Sequence, residues 1–119
     1  MTTVKATTLW VLQVLLAALF SIQGVLKLGG SPAWIARFRA WGYPEHFYLV
    51  VGLIELCGAI ALLIPRAAKF GALLLMAAMA AAALTHTVHR EPQWVTTLVL
   101  FVLLAIIVYA RWTRKPDRA

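Results

Sequence analysis

The sequence predicts an all-α membrane protein: a bundle of four transmembrane helices with one short amphipathic helix in the first loop. Three observations lead there. Of 119 residues, 63% are apolar and 13% are charged, far from the balance of a water-soluble domain. So short a chain has too little interior to hide that much apolar side chain, and another apolar phase must receive the surplus. The apolar residues fall into four runs close to the ~20 residues that a bilayer core requires. The eleven Lys and Arg, which give a formal net charge of +7, sit between and beyond those runs.

The first helix is expected over about residues 8–27. No charge interrupts the run from Ala6 to Leu26, and no convincing small-x-small cleavage site follows, so it reads as a retained helix and not a signal peptide. Gly29, Gly30 and Pro32 end it. The amphipathic helix follows over about 32–41. Ser31 and Pro32 have the character of N-cap and first-turn residues, Trp34, Phe38 and Trp41 recur at i, i+4 and i+7, and Gly42 with Pro44 closes the pattern. Its aromatic side suits an interfacial anchor or a lid over the bundle mouth, with Arg37 and Arg39 turned to water or phosphate.

The second helix is expected over about 46–64, closed by Pro65. The third, about 67–87, is alanine-rich from Ala77 to Ala83 and should pack closely against its neighbours. Glu91-Pro92 separates it from the fourth, about 93–111. Together they make a single domain over 1–119.

Counting basic residues in the short loops gives the orientation. Lys5, Arg66, Lys69, Arg111, Arg114, Lys115 and Arg118 fall on one side, against Lys27, Arg37, Arg39 and Arg90 on the other. Both termini are therefore expected in the cytoplasm. Trp10, Trp94, Tyr109 and Trp112 lie near segment ends, where amphipathic rings prefer the interface. The basic residues form no continuous stripe with interleaved aromatics, so no nucleic-acid partner is expected, and anionic lipid head groups account better for the charge. Cys57, the single cysteine, can form no intramolecular disulfide and is expected to be a small core residue.

Ionisable groups inside the apolar runs are the sharpest functional signal, because a charge at bilayer depth is costly unless paired, neutralised or hydrated. Glu55 lies mid-way along the second helix. Helical geometry puts Tyr48, Gly52, Ala59 and Leu62 on its face, and the small residues among them point that face into the bundle. On the first helix Gln13, Phe20, Gln23, Gly24 and Lys27 form one semi-polar stripe, the natural partner for Glu55. Lys27 lies at the outer end and Glu55 roughly 13 Å below the surface, so a bridge through Gln23 or water is expected between them. His86 shares a face with Met79, Ala82 and Ala83 and should point inward at the depth of Lys27, while His89 and Arg90 read as solvated loop residues.

These residues suggest a polar pocket in the outer half of the bundle. Glu55, Lys27 and His86 are its candidate catalytic groups, and Gln23, Tyr48, Gly52, Met79 and Trp41 its candidate ligand-binding residues. His86 and His89 have no Cys or Asp companions, so neither a metal nor haem is expected.

The chain resembles the DoxX and DoxX-like family of small four-helix membrane proteins. The resemblance covers most of the chain and rests on Gln23-Gly24-Val25-Leu26-Lys27-Leu28, Phe38, Gly42-Tyr43-Pro44, Val51-Gly52-Leu53-Ile54-Glu55-Leu56-Cys57-Gly58 and Leu62-Leu63-Ile64-Pro65, with Met79 and Ala80 before His86. It implies a four-helix bundle in the bacterial inner membrane and, for some members, association with respiratory redox chemistry, including a subunit of a thiosulfate:quinone oxidoreductase. It also implies that Lys27 and Glu55 are the characteristic buried polar pair, with Gly24, Gly52 and Gly58 as packing positions. The lack of a cysteine pair argues against thiol-disulfide chemistry.

The leading functional expectation is a pocket for a small hydrophobic molecule, a quinone or an isoprenoid-like lipid, in which these groups manage protons. A soluble oxidoreductase subunit and a second copy of the chain are the candidate protein partners. Whether the chain is itself an enzyme is left open. A small proton-coupled transporter and a non-enzymatic assembly factor are the alternatives. Known small exporters of this length carry their key glutamate on the first helix, whereas this one is on the second.

Overall fold

The computed structural model describes residues 3–113; Arg114, Lys115 and Arg118, counted above for orientation, lie outside them. Five helices and no strand occur among the described residues: α1 (Thr3–Leu28), α2 (Pro32–Ala40), α3 (Phe47–Leu62), α4 (Ala68–Val88) and α5 (Trp94–Thr113). α1, α4 and α5 are long and apolar enough to cross a membrane, while α3 is a shorter apolar helix of 16 residues.

The helix ends follow from local chemistry. After α1, the Gly30 N–H donates to Lys27 O and the Ser31 N–H to Leu26 O, with Gly30 at φ +73°. After α2, Gly42 and Tyr43 repeat the arrangement on Arg39 O and Phe38 O, with Gly42 at φ +83°. Both are Schellman caps, which need a left-handed residue that glycine supplies without strain. α4 closes the same way, through Arg90 to Thr87 O and Glu91 to His86 O, but the left-handed residue is Arg90 at φ 57°. That turn carries Glu91 back over the end of its own helix. Ser31 occupies the N-cap of α2 with Pro32 behind it, although its side chain makes no capping hydrogen bond.

α1 packs on α3, α3 on α4 and α4 on α5, with only slight contact between α1 and α5. Glycines set the closest approaches. A Cβ on Gly24 would lie 2.8 Å from Gly52 O, one on Gly58 2.6 Å from Leu75 Cγ, and one on Gly71 2.8 Å from Gly58 O. At the other end of the α1–α3 seam, Gln13, fully buried, donates from Nε2 to Leu62 O at 2.7 Å and accepts from Arg111 Nε at 2.7 Å. α3 therefore runs antiparallel along α1 from Gly24 to Gln13, and α5 is tied to both at that end. Phe20, Leu62, Leu75, Leu104 and Ile107 fill the interior between.

Three sequence expectations give way here. Cys57 is exposed, because two residues beyond Glu55 means about 200° around the helix, which is the opposite face. The stretch from Ala77 to Ala83 is not the close-packed part of α4: apart from Met79 none of its residues is buried, and tight packing falls earlier, at Ala68, Gly71, Ala72 and Leu75. Gln13 does not share a site with Glu55, since it lies at the far end of the seam, bonded to Leu62 and Arg111.

Candidate functional site

The space left by those small alanines is a cavity of about 490 Å³ beneath α2. Leu19 and Phe20 of α1, Ile54 of α3, Leu74, Ala78 and Met79 of α4 and Leu100 of α5 give it apolar walls. Trp34, Arg37 and Phe38 of α2, with Trp41 after it, roof it over. Its polar lining comes from Gln23, Lys27, Tyr43, Glu55, Thr85, His86, Gln93, Thr96 and Thr97. A volume of this size with a few polar groups is typical of small-molecule sites.

Lys27 and Glu55 meet directly in its wall, with Nζ 2.6 Å from Oε1 and each side chain 4% exposed. The expected bridge is replaced by an ion pair because the depth difference is smaller than residue counting along separate helices suggests. A Cβ on Gly52 would be 2.8 Å from Lys27 Cβ, so the lysine enters at the level of Gly52. Glu55 is less than one 5.4 Å turn further on, within reach of the lysine stem. Lys27 Nζ also lies 3.8 Å from the centroid of the Trp34 ring, a cation–π contact that ties α2 to the pair. Gln23 Oε1, nearby on α1, is buried without a hydrogen-bond partner among the described residues.

His86 lines the same cavity but pairs elsewhere. Its Nδ1 lies 2.7 Å from Glu91 Oε1, and Trp41 donates its indole N–H to both carboxylate oxygens of Glu91 at 3.2 and 3.3 Å. With Nδ1–H given to the carboxylate, Nε2 of the neutral ring is the acceptor. The hydrogen bond to His86 first, and then that from Trp41, hold the Glu91 carboxyl below the usual carboxylate range. The Trp41 ring stands edge-on to His86 at 5.5 Å, and the Tyr43 and Thr85 hydroxyls are hydrogen-bonded. The segment after α2 is thus fastened to the end of α4.

Of the eight residues singled out from the sequence, Glu55, Lys27, His86, Gln23, Met79 and Trp41 line this one cavity. Tyr48 and Gly52 do not. Gly52 is consumed by the α1–α3 contact, and Tyr48 packs on Phe38 and His46 at 6.4 and 6.2 Å. His89 is exposed, as a loop residue should be, and its Nδ1 lies 2.8 Å from Thr85 O. Trp34, Arg37, Thr85 and Glu91 are additions. Glu91 is invisible to helical periodicity because a left-handed turn, not a helix face, brings it to His86. Among the described residues no cluster of metal-binding side chains occurs.

Residues 11–110 match the sequence model of the DoxX-like family, and the chain belongs to that family. No curated protein and no solved structure matches.

Proposed function

We propose that this DoxX-like protein crosses the bacterial inner membrane four times with both termini in the cytoplasm, and binds a small hydrophobic molecule in the cavity beneath α2. The fourth crossing is α3. Its helix alone spans roughly 24 Å, exposed Leu63 and Ile64 extend its apolar surface, and it runs beside the membrane-length α1. In this frame α2 lies at the outer interface with Phe38 turned inward, Arg37 exposed at the rim of the cavity and Arg39 exposed away from it.

The observation that carries the binding reading is the coincidence of an apolar cavity with a buried ion pair in its wall. A chain that needed Lys27 and Glu55 only to fix helix register would have no use for about 490 Å³ of adjoining space. A quinone or an isoprenoid-like lipid suits the shape: its chain lies along Phe20, Ile54, Met79 and Leu100, and its polar end lies among Gln23, Lys27, Glu55 and His86. Glu55 and His86 are the groups able to exchange protons with that end, and Lys27 holds Glu55 in place. A soluble oxidoreductase subunit is the natural recipient of a redox-active ligand. Thermal unfolding of the purified full chain tests this. A panel of decylquinone, farnesol and farnesyl phosphate should contain a compound that raises the midpoint of wild type, with the shift abolished in Glu55→Gln and in Ala78→Leu. A panel without effect on wild type, or an unchanged shift in both variants, contradicts it. Proton-driven dye efflux in vesicles would favour a transporter instead.

A further inference from the structure

Resting on that reading of the cavity, we infer that its ligand is an anionic amphiphile: a single acyl or prenyl chain ending in a carboxylate or phosphate, held at its head by Arg37. Charge balance around the cavity points to such a ligand. The ionisable side chains lining the cavity are Lys27, Arg37, Tyr43, Glu55 and His86. Lys27 and Glu55 cancel each other. Glu91, the next carboxylate, does not line the cavity and is occupied by His86 and Trp41.

Arg37 is what remains, and it has no carboxylate partner among the described residues. Its guanidinium carbon lies 5.0 Å from the centroid of the Trp34 ring, the ring that also carries Lys27 Nζ at 3.8 Å. The tryptophan therefore stands beside two cations at the α2 end of a largely apolar cavity, one paired with Glu55 and one exposed at the rim without a carboxylate partner among the described residues. A planar fork of donors is suited to two-point recognition of a carboxylate or phosphate. A neutral head group would leave that cation unused. Arg39, two positions along α2, is also exposed but does not line the cavity, which gives an internal control.

The experiment uses the full chain in nanodiscs of zwitterionic phosphatidylcholine and a photoreactive stearate at mildly alkaline pH, with adducts mapped by mass spectrometry. Labelling should fall on cavity residues such as Met79 and Leu100, and unlabelled stearate and stearyl phosphate should compete about tenfold better than stearyl alcohol or decylquinone. Arg37→Gln should erase that preference, Arg37→Lys should keep part of it, and Arg39→Gln should leave it intact. Equal competition by the neutral compounds overturns the anionic head group while leaving the cavity a ligand site. An equal loss in Arg39→Gln reduces the effect to a general surface field and overturns it too. Competition by inorganic phosphate alone would mean a free-anion site. If no probe, charged or neutral, reaches the cavity, the underlying binding reading fails as well.

Discussion

Lys27 of α1 and Glu55 of α3 form an ion pair of 2.6 Å inside the helix bundle, each side chain 4% exposed. Removing one partner strands the other charge in a medium that cannot solvate it, whereas removing both leaves only apolar surface. Lys27→Met and Glu55→Leu are each expected to cost about 3–5 kcal/mol, and the double variant much less than their sum. Denaturant titration in detergent across the four proteins checks this. Additive losses would show that the two charges do not interact.

Gly24 allows this pair to form. A methyl group at this position would meet Gly52 O at 2.8 Å, and a backbone oxygen between packed helices has little freedom to yield. Gly24→Ala should destabilise by about 1–3 kcal/mol, the usual cost of overpacking. Gly42→Ala should act differently. Open space surrounds Gly42, so only its positive φ is strained, and the loss should be about 1 kcal/mol and confined to α2. Hydrogen exchange of α1 and α2 backbone amides distinguishes the two.

Gln13 joins three helices through Leu62 O and Arg111 Nε. Gln13→Leu keeps the volume but leaves both groups without this partner, at an expected cost of about 1–3 kcal/mol. Because the site lies at the opposite end of the α1–α3 seam, ligand binding beneath α2 should be unaffected at temperatures where the variant is folded. A matching loss of binding would mean that the two ends are coupled.

The bonds from His86 and Trp41 depress the Glu91 carboxyl, so its contribution is present above the ordinary carboxylate range. It is lost as pH falls through the folded-state value, which lies below that range. Acidification should therefore release the Trp41 indole from Glu91 and change its fluorescence only at distinctly acid pH. Glu91→Gln should remove that transition, and a transition unchanged in Glu91→Gln would assign it to another group.

Much of this arrangement is legible in the sequence, for reasons that differ from residue to residue. Glu55 stands out because it interrupts an apolar run and Lys27 because it closes one, and helical spacing aims Gly52, Glu55 and Leu62 in one direction. Trp34, Phe38 and Trp41 announce α2 by their i, i+4, i+7 recurrence. Relations between elements are less visible. The level at which Lys27 meets α3 depends on where Gly24 and Gly52 lock together, which no single helix encodes. Glu91 reaches His86 through the left-handed Arg90, a residue type that gives little warning of such a turn. The alanines of α4 suggest close packing, but small side chains can equally leave a void, and only the neighbouring helices decide which.

The most direct test of the cavity is to fill it. Ala82 is half-buried in its wall, and Ala82→Phe should occupy the space while leaving the Lys27–Glu55 pair intact. Native mass spectrometry of protein extracted directly from its membrane should then show wild type carrying a small hydrophobic molecule and the folded Ala82→Phe variant carrying none. Wild type arriving without such a molecule, or the variant retaining it in equal amount, would contradict the account.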